Sequence, residues 1–381
     1  MHNSKNRLIK LIEIIRKDTG INNFIDAMEQ LTLLLLLKYI CENMLENKEQ
    51  NIKWSFLEVI FENAYHYRLD LSHSFHKDLF VKAIAIINNG EYCDNKKTIL
   101  NNITYLAHET PFRIKSNKVF DHLIQRIDTL RFDDDFLQEY SDLLAVMAIE
   151  SKSSGAFYTP KALVSSIIKV SSPTHNQSIY DPTIGTGGFI VEAHKQLGVS
   201  STGKEKQPSL VFGRDISPFA CLISIFNFLI NQIDIKNIYI NDSLTYHDER
   251  KFDLVLSNPP FGKLKDTDKS KYWNSYSNEP CIYSRIEAMF IRHIMQKLAT
   301  GGKAVVIVPQ GILFDRQKEI VGLRKELLEK FNLHTILSLP SGALSPYTSV
   351  KANALFFDNT EPDDDIWFYR TKSRAKSLET A

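Results

Sequence analysis

Four consecutive residues, Asn258, Pro259, Pro260 and Phe261, close the apolar run FDLVLS and carry the sharpest chemistry in the chain. A residue before proline is pushed into extended geometry, and two successive prolines fix the backbone that follows. The result is a stiff stub that presents an amide, the Pro259 carbonyl and an aromatic face in one place. That set suits a planar base carrying an amino group. The Asn oxygen and the proline carbonyl each accept one N–H, drawing the nitrogen lone pair out of conjugation, while Phe261 stacks on the ring. An isolated Asn-Pro-Pro is more often a plain turn after a buried strand. Its position at a strand end, downstream of a glycine-rich loop, is what favours a site.

Other strand ends carry polar punctuation. The run Ser178 to Tyr180 passes into Asp181-Pro182-Thr183-Ile184-Gly185-Thr186-Gly187-Gly188-Phe189 and then a helical pattern. Glycines let the backbone pass close to a ligand, and the helix N-terminus offers unpaired N–H groups. A glycine-rich turn without a ligand is the plainer alternative. A dinucleotide site matches less well, since this is not GxGxxG and a carboxylate precedes it. The run Leu210 to Phe212 leads to Gly213-Arg214-Asp215, where Asp215 either accepts both hydroxyls of a ribose or sits as an acid favoured by the next helix dipole. Asp242, after a third run, suits an exocyclic adenine amine or a capping role. Upstream, Phe157-Tyr158-Thr159-Pro160 precedes KALVSSIIKV. Thr159 as N-cap and Pro160 at the first helical position explain the Thr-Pro pair, but not the aromatics before it.

These residues need a scaffold, and the hydrophobic pattern supplies one. From about Ser151, short β-branched runs alternate with helical segments: Ser178 to Tyr180, Leu210 to Phe212, Asn237 to Ile240, Phe252 to Leu256, Lys303 to Val308, His334 to Leu339 and Ala354 to Phe357. The helix RIEAMFIRHIMQKLATGG is expected to end on its Gly pair, and another is opened by Ser217 and Pro218. Such alternation predicts an α/β fold with a mostly parallel sheet covered on both faces, whose ligands sit at the carboxyl ends of the strands. From Arg7 to about Leu144 the apolar residues recur at helical spacing, which predicts an all-helical N-terminal domain. The expected division is 1–150 helical, 151–370 α/β, and 371–381 a basic tail.

The 381 residues carry 46 Lys+Arg against 45 Asp+Glu, so net charge gives no argument for or against nucleic acid. The four cysteines are far apart and form neither a metal pattern nor a CxxC pair, and no metal site is expected. The apolar run Leu31 to Leu37 is far shorter than the roughly 20 residues of a membrane span, and the N-terminus lacks a signal-peptide core. A cytoplasmic protein without membrane association is expected.

Phe157-Tyr158-Thr159-Pro160, Asp181-Pro182 with Gly185-Thr186-Gly187-Gly188-Phe189, and Asn258-Pro259-Pro260-Phe261, in that order, resemble the amino-methylating DNA methyltransferases that use S-adenosylmethionine. More narrowly, the chain resembles the modification subunit of type I restriction-modification systems. FIRHIMQKLATGGKAVVIVPQGILF and ELLEKFNLHTILSLP are similar to that family's stretch after the catalytic loop, and IRKDTGINNFIDAMEQLTLLLLLKYI is more loosely similar to its start.

The resemblance implies a class I S-adenosylmethionine-dependent methyltransferase sheet, Rossmann-like, with the helical domain contacting DNA or partners. It implies S-adenosylmethionine as cofactor, with Phe157, Tyr158, Thr159, Pro160, Asp181, Thr186, Gly187 and Gly188 around its methionine end. Asp215 would grip its ribose and Asp242 its adenine. Asn258, Pro259, Pro260 and Phe261 would receive a flipped adenine, Asn rather than Ser favouring adenine over cytosine. Double-stranded DNA, a separate specificity subunit and a restriction subunit are the implied partners. Asp215 stands where Glu is more common, one methylene shorter. The family continues into a helical region that docks onto the specificity subunit, whereas this chain stops at Ala381. A truncated product, half of a split subunit or a shortened relative is therefore expected.

The loop Gly262 to Arg285 mixes Lys263, Lys265, Lys269, Lys271 and Arg285 with Tyr272, Trp273, Tyr276 and Tyr283, a composition that holds phosphates and stacks bases or simply faces solvent. Methyltransferases acting on protein glutamine or on RNA share an Asn-Pro-Pro-aromatic loop and form one alternative. A non-catalytic subunit that binds cofactor and DNA forms another.

Overall fold

A computed structural model describes residues 6–43, 106, 110–150, 158–198, 210–246, 248–264, 272, 283–345 and 348–371. The chain packs into two compact units: Met1–Ser154 with Ser217–Ile238, and Gly155–Ile216 with Tyr239–Ala381.

In the first unit, α1 (Arg7–Ile15) starts at Asn6, whose side-chain oxygen accepts from the Leu8 and Ile9 N–H groups. Its buried face is Leu8, Leu11, Ile12 and Ile15, the spacing of a single helical stripe. Helix α2 (Phe24–Asn43) is buried from Leu31 through Lys38 without a polar side, so it forms the centre of this unit. Around it lie α3 (Asn117–Asp128) and α4 (Asp134–Glu150). The expected helix at FVKAIAIINN falls outside the described residues.

A later helix joins them. The segment α7 (Pro218–Ile230) opens as expected, Ser217 Oγ accepting from the Ala220 N–H with Pro218 in the first turn. It is apolar almost all round, Ser224 and Asn227 excepted, and buried from Ala220 onward. Phe226 packs edge-on against Tyr140, 5.0 Å between ring centres, and Tyr39 Oη donates to the Leu229 carbonyl at 2.8 Å. The apolar pattern of this helix signals burial but does not say against which partner.

In the second unit, α5 (Lys161–Ser171), β1 (Ser178–Asp181), α6 (Gly188–Leu197) and β2 (Leu210–Asp215) precede that helix. After it come β3 (Ile238–Ile240), β4 (Phe252–Ser257), α8 (Ile286–Lys297), β5 (Leu298–Pro309), α9 (Lys318–Lys330), β6 (Asn332–Ser338), β7 (Ala352–Asp358) and β8 (Trp367–Arg370). They form one sheet in the order β3-β2-β1-β4-β5-β7-β6-β8. Strands β1–β2, β1–β4, β4–β5 and β6–β8 pair in parallel, and β7 runs antiparallel to both neighbours. Ala288, Met289, Ile291 and Ile294 of α8 and Ile320, Leu323 and Leu327 of α9 pack with strand residues Val255, Val306, Ile336 and Phe357 into one core.

Helix α8 stops five residues earlier than its sequence implies. It ends at Lys297, and Leu298 to Gly302 enter β5, where the register against β4 shifts. The cause lies at Gly302, where an added Cβ would stand 2.7 Å from the Phe252 carbonyl oxygen. Gly302 therefore permits two backbones to approach, and neither glycine caps the helix, which has already ended at Lys297. No helix among the described residues is long and apolar enough to cross a membrane.

The strand order reverses between β1 and β4, and a doubly wound sheet opens a ligand crevice beyond the carboxyl ends at such a point. The Asp181 to Gly188 loop, Asp215 and Asn258 all leave strands there.

Candidate active site

The first loop is fixed by its own backbone. Gly185 and Gly187 adopt φ of 53° and 80°, the left-handed region where a side chain is strained. The Gly187 N–H returns to the Ile184 carbonyl at 2.8 Å, and α6 starts at the next residue with its first N–H groups unused by any capping side chain. Across the loop, Asp215 Oδ2 accepts from the Gly185 N–H at 3.0 Å. Asp215 thus ties the end of β2 to the glycine turn, a contact that neither the ribose nor the dipole reading anticipates.

Asp181 forms the floor and is 2% exposed. Its Oδ1 accepts from the Thr183 N–H at 2.9 Å, and the Thr183 hydroxyl pairs with Ser257 Oγ at 2.9 Å, joining the ends of β1 and β4. Burial pushes the Asp181 carboxyl up to about 7, with Asp215 adding to the rise and Thr183 opposing it. In its ionised form this carboxylate in the cleft is suited to a cation.

The elbow is fixed from a distance. Asn258 Nδ2 donates to Thr159 Oγ1 at 3.0 Å, which leaves Oδ1 of the same amide as an acceptor. Thr159 therefore does not cap α5. The helix begins at Lys161, Pro160 occupies the cap position without a side-chain bond, and the Thr159 hydroxyl is turned to the amide instead. Pro259 is buried, while Pro260 is exposed and Phe261 half-buried. Beyond them Gly262 lies at φ 149°, and its N–H donates to Glu287 Oε2 at 3.0 Å.

Glu287, in the first turn of α8, is 0% exposed, and its Oε1 has no hydrogen-bond partner. The strand-like pairing of Lys263 with Arg285, with Leu264 N–H to the Ser284 carbonyl and Ile286 N–H to the Gly262 carbonyl, closes the loop at its base. Sequence reading did not single out Glu287. A lone acid at a helix start reads as a complement to the dipole, and only the fold brings it beneath the elbow.

The two loops meet. Thr159, Asp181, Thr183, Ile184, Thr186, Gly188, Phe189 and Asn258 line one narrow cleft of about 10 Å³. Tyr158 and Pro160 flank Thr159, whereas Phe157 lies outside the described residues. Asp242 is otherwise engaged: Oδ1 accepts from the Leu244 N–H at 3.0 Å and Oδ2 from Tyr272 Oη at 3.1 Å. Both oxygens thus already have protein partners.

The loop after the elbow departs from its reading. Tyr283 is 2% exposed within the core and has no free face for a base, and Arg285 Nε is spent on Asp315 at 2.7 Å. Lys265, Lys269, Lys271, Trp273 and Tyr276 lie outside the described residues.

The fold and cleft have counterparts in known proteins. The N-6 DNA Methylase family model matches residues 131–380. The chain is 28% identical over 395 residues to the type I restriction enzyme EcoEI methylase subunit of Escherichia coli, covering 94% of this chain and 76% of that one. It is also 28% identical over 328 residues to the EcoKI methylase subunit of Escherichia coli strain K12, 77% of this chain but 59% of that subunit's length. Among solved structures, a modification subunit assigned to a type I restriction enzyme from Vibrio vulnificus YJ016 superposes with a TM-score of 0.74 at 26% identity, covering 97% of this chain and 85% of that one.

Proposed function

The chain belongs to the N-6 DNA Methylase family, and from that premise we propose that it transfers a methyl group from S-adenosylmethionine to N6 of adenine in DNA, as the modification subunit of a restriction-modification system. The observation that carries this reading is the Asn258 amide. Its nitrogen is held by Thr159 and its oxygen is left to accept, at the rim of the cleft that the glycine loop also lines.

The residues fit the cofactor. The N-terminus of α6 offers N–H groups to a carboxylate, and Asp181 offers a buried acceptor to an ammonium. Asp215 stands beside them, its Oδ2 fixed on Gly185. When bound, S-adenosylmethionine supplies a methyl group on a positively charged sulfur. The protein has to hold the acceptor amine in line and raise its nucleophilicity. Asn258 Oδ1 and the Pro259 carbonyl each take one N–H of the adenine amine, returning its lone pair to the nitrogen. Phe261 stacks on the base, offsetting part of the few kcal/mol that extruding it from the duplex costs.

The relatives named as subunits of type I restriction enzymes support a multi-subunit setting, with a specificity subunit as the expected DNA reader and a restriction subunit as a further partner. The helical residues up to about 150 are the surface proposed for DNA or partner contact, residues 151–370 the methyltransferase domain, and 371–381 a basic tail.

The test is labelled-methyl transfer by the full chain, with candidate specificity subunits added, to DNA, RNA and protein in parallel. Label at N6 of DNA adenine supports the reading. Label confined to RNA or to glutamine side chains, or none in any mixture, contradicts it.

A further inference from the structure

The carboxyl edge of the sheet holds a second, larger cavity away from the cleft. It encloses about 510 Å³ and is lined by Gln310 after β5, Lys351 before β7, Ser338 to Ser341 after β6, and Arg370 and Thr371 ending β8. Its rim is rigid. Gln310 N–H donates to the Lys351 carbonyl at 2.7 Å, Leu339 N–H to the Ala352 carbonyl at 3.0 Å, and the Thr371 hydroxyl to the Ser338 carbonyl at 3.1 Å.

The charge of this cavity is one-sided. Lys351 and Arg370 line it, both are exposed, and neither has a carboxylate partner among the described residues. No described lining residue is acidic. The antiparallel course of β7 explains the segregation. Ala352 pairs with Pro309 at the carboxyl end of β5, and Asp358 pairs with Lys303 near its start. The acidic stretch Glu361, Asp363, Asp364 and Asp365 between β7 and β8 is thereby sent to the opposite edge.

We propose that this cavity is a DNA-backbone site, in which Lys351 and Arg370 hold phosphates flanking the extruded adenine. The proposal rests on the methyltransferase reading above. Two to four strands separate Asn258 at the end of β4 from these residues on β7, β6 and β8. At about 4.8 Å per strand that is roughly 10 to 19 Å. Phosphates recur about every 3.4 Å of axis on each strand, so the site meets the backbone roughly three to six nucleotides from the target. Hydroxyls of Ser341 and the Gln310 amide add neutral donors of the kind that fix register without reading sequence. A protein surface is matched less well, because the lining is mostly polar, with only Leu339 and Pro340 apolar, and carries one sign of charge.

The experiment compares the full chain with its Lys351→Gln/Arg370→Gln variant, measuring anisotropy of a labelled duplex across a salt series. The expected result is an affinity loss of about tenfold or more at low salt and a log–log salt slope shallower by about 1.8, the contribution of two phosphate contacts. Cofactor affinity and melting temperature stay at the wild-type values. An unchanged slope overturns the proposal, as does equal loss of cofactor binding. Inorganic phosphate at matched ionic strength forms a second arm. If it binds the wild type but not the variant while duplex affinity is the same in both, the site serves a small anion and the proposal fails. Variant-specific loss of a specificity subunit with duplex binding intact assigns the surface to protein and also overturns it. Absence of labelled-methyl transfer by a wild type that binds DNA with the predicted slope would reject the catalytic reading while leaving this site standing.

Discussion

The glycine loop and the Asn-Pro-Pro-Phe elbow line the same cleft but are held in different ways. The loop shapes itself through left-handed glycines at 185 and 187, a return bond to Ile184 and Thr183 on Asp181, and Asp215 then anchors the formed turn at the Gly185 N–H. The elbow is held by side chains far away in sequence, Thr159 on one flank and Glu287 on the other, separated from it by 99 and 25 positions. The contrast teaches that prolines stiffen a segment without aiming it. Aim comes from the partners at its two ends, so substitutions there should lower turnover while sparing the cofactor side.

The largest effect is expected at Asn258 itself. Asn258→Ala should retain cofactor binding by calorimetry and slow methylation by roughly a hundredfold or more, as when a preorganised hydrogen-bonding group is lost. Normal turnover would remove the amide from the chemistry. Next comes the lower support. Glu287→Ala leaves the Gly262 N–H without its acceptor, a cost of about 1–3 kcal/mol. A lower melting temperature with reduced turnover and intact cofactor affinity is expected, and Glu287→Gln, which keeps an acceptor, should recover part of both. Equal stability in all three proteins would deny the support.

A smaller effect is expected from Thr159→Val, which removes the acceptor for the Asn258 nitrogen. One neutral hydrogen bond is worth about 0.5–1.5 kcal/mol, so turnover should fall roughly three- to tenfold. A larger fall in cofactor affinity than in turnover would break the contrast between the two regions.

The smallest effect concerns pH. Asp181 titrates near 7 in the folded chain, against 3.8 as its ordinary value, because burial disfavours the charge. Between about 4 and 7 the folded protein holds a proton that the unfolded chain releases, so this group's contribution to stability is present at low pH and is lost as pH rises through 7. A cationic ligand beside it favours the ionised form. Cofactor affinity should therefore weaken as pH falls below 7, and Asp181→Asn should flatten the profile. An identical profile in the variant would detach Asp181 from the ligand.

The sheet and its three polar strand ends were legible because each apolar run is stopped by Gly, Asp or Pro, and such stops mark carboxyl ends. The glycine loop was legible for the same local reason. What remained hidden was long-range. Thr159 before proline follows the rule for a helix cap, yet its hydroxyl serves Asn258. Gly301-Gly302 resembles a helix end, yet Gly302 lets β5 approach Phe252. The partner that α7 meets was equally hidden, since a helix apolar almost all round encodes burial but no direction. For Asp242 the sequence left two roles open and did not anticipate its bond from the distant Tyr272 hydroxyl.

The central claim, that elbow and glycine loop frame a single methyl-transfer cleft, is tested most directly by a crystal structure of the full chain with S-adenosylhomocysteine. The account predicts the amino-acid end between Asp181 and the start of α6, with the sulfur turned toward Asn258. A ligand bound elsewhere, or with its sulfur directed away from that amide, would contradict it.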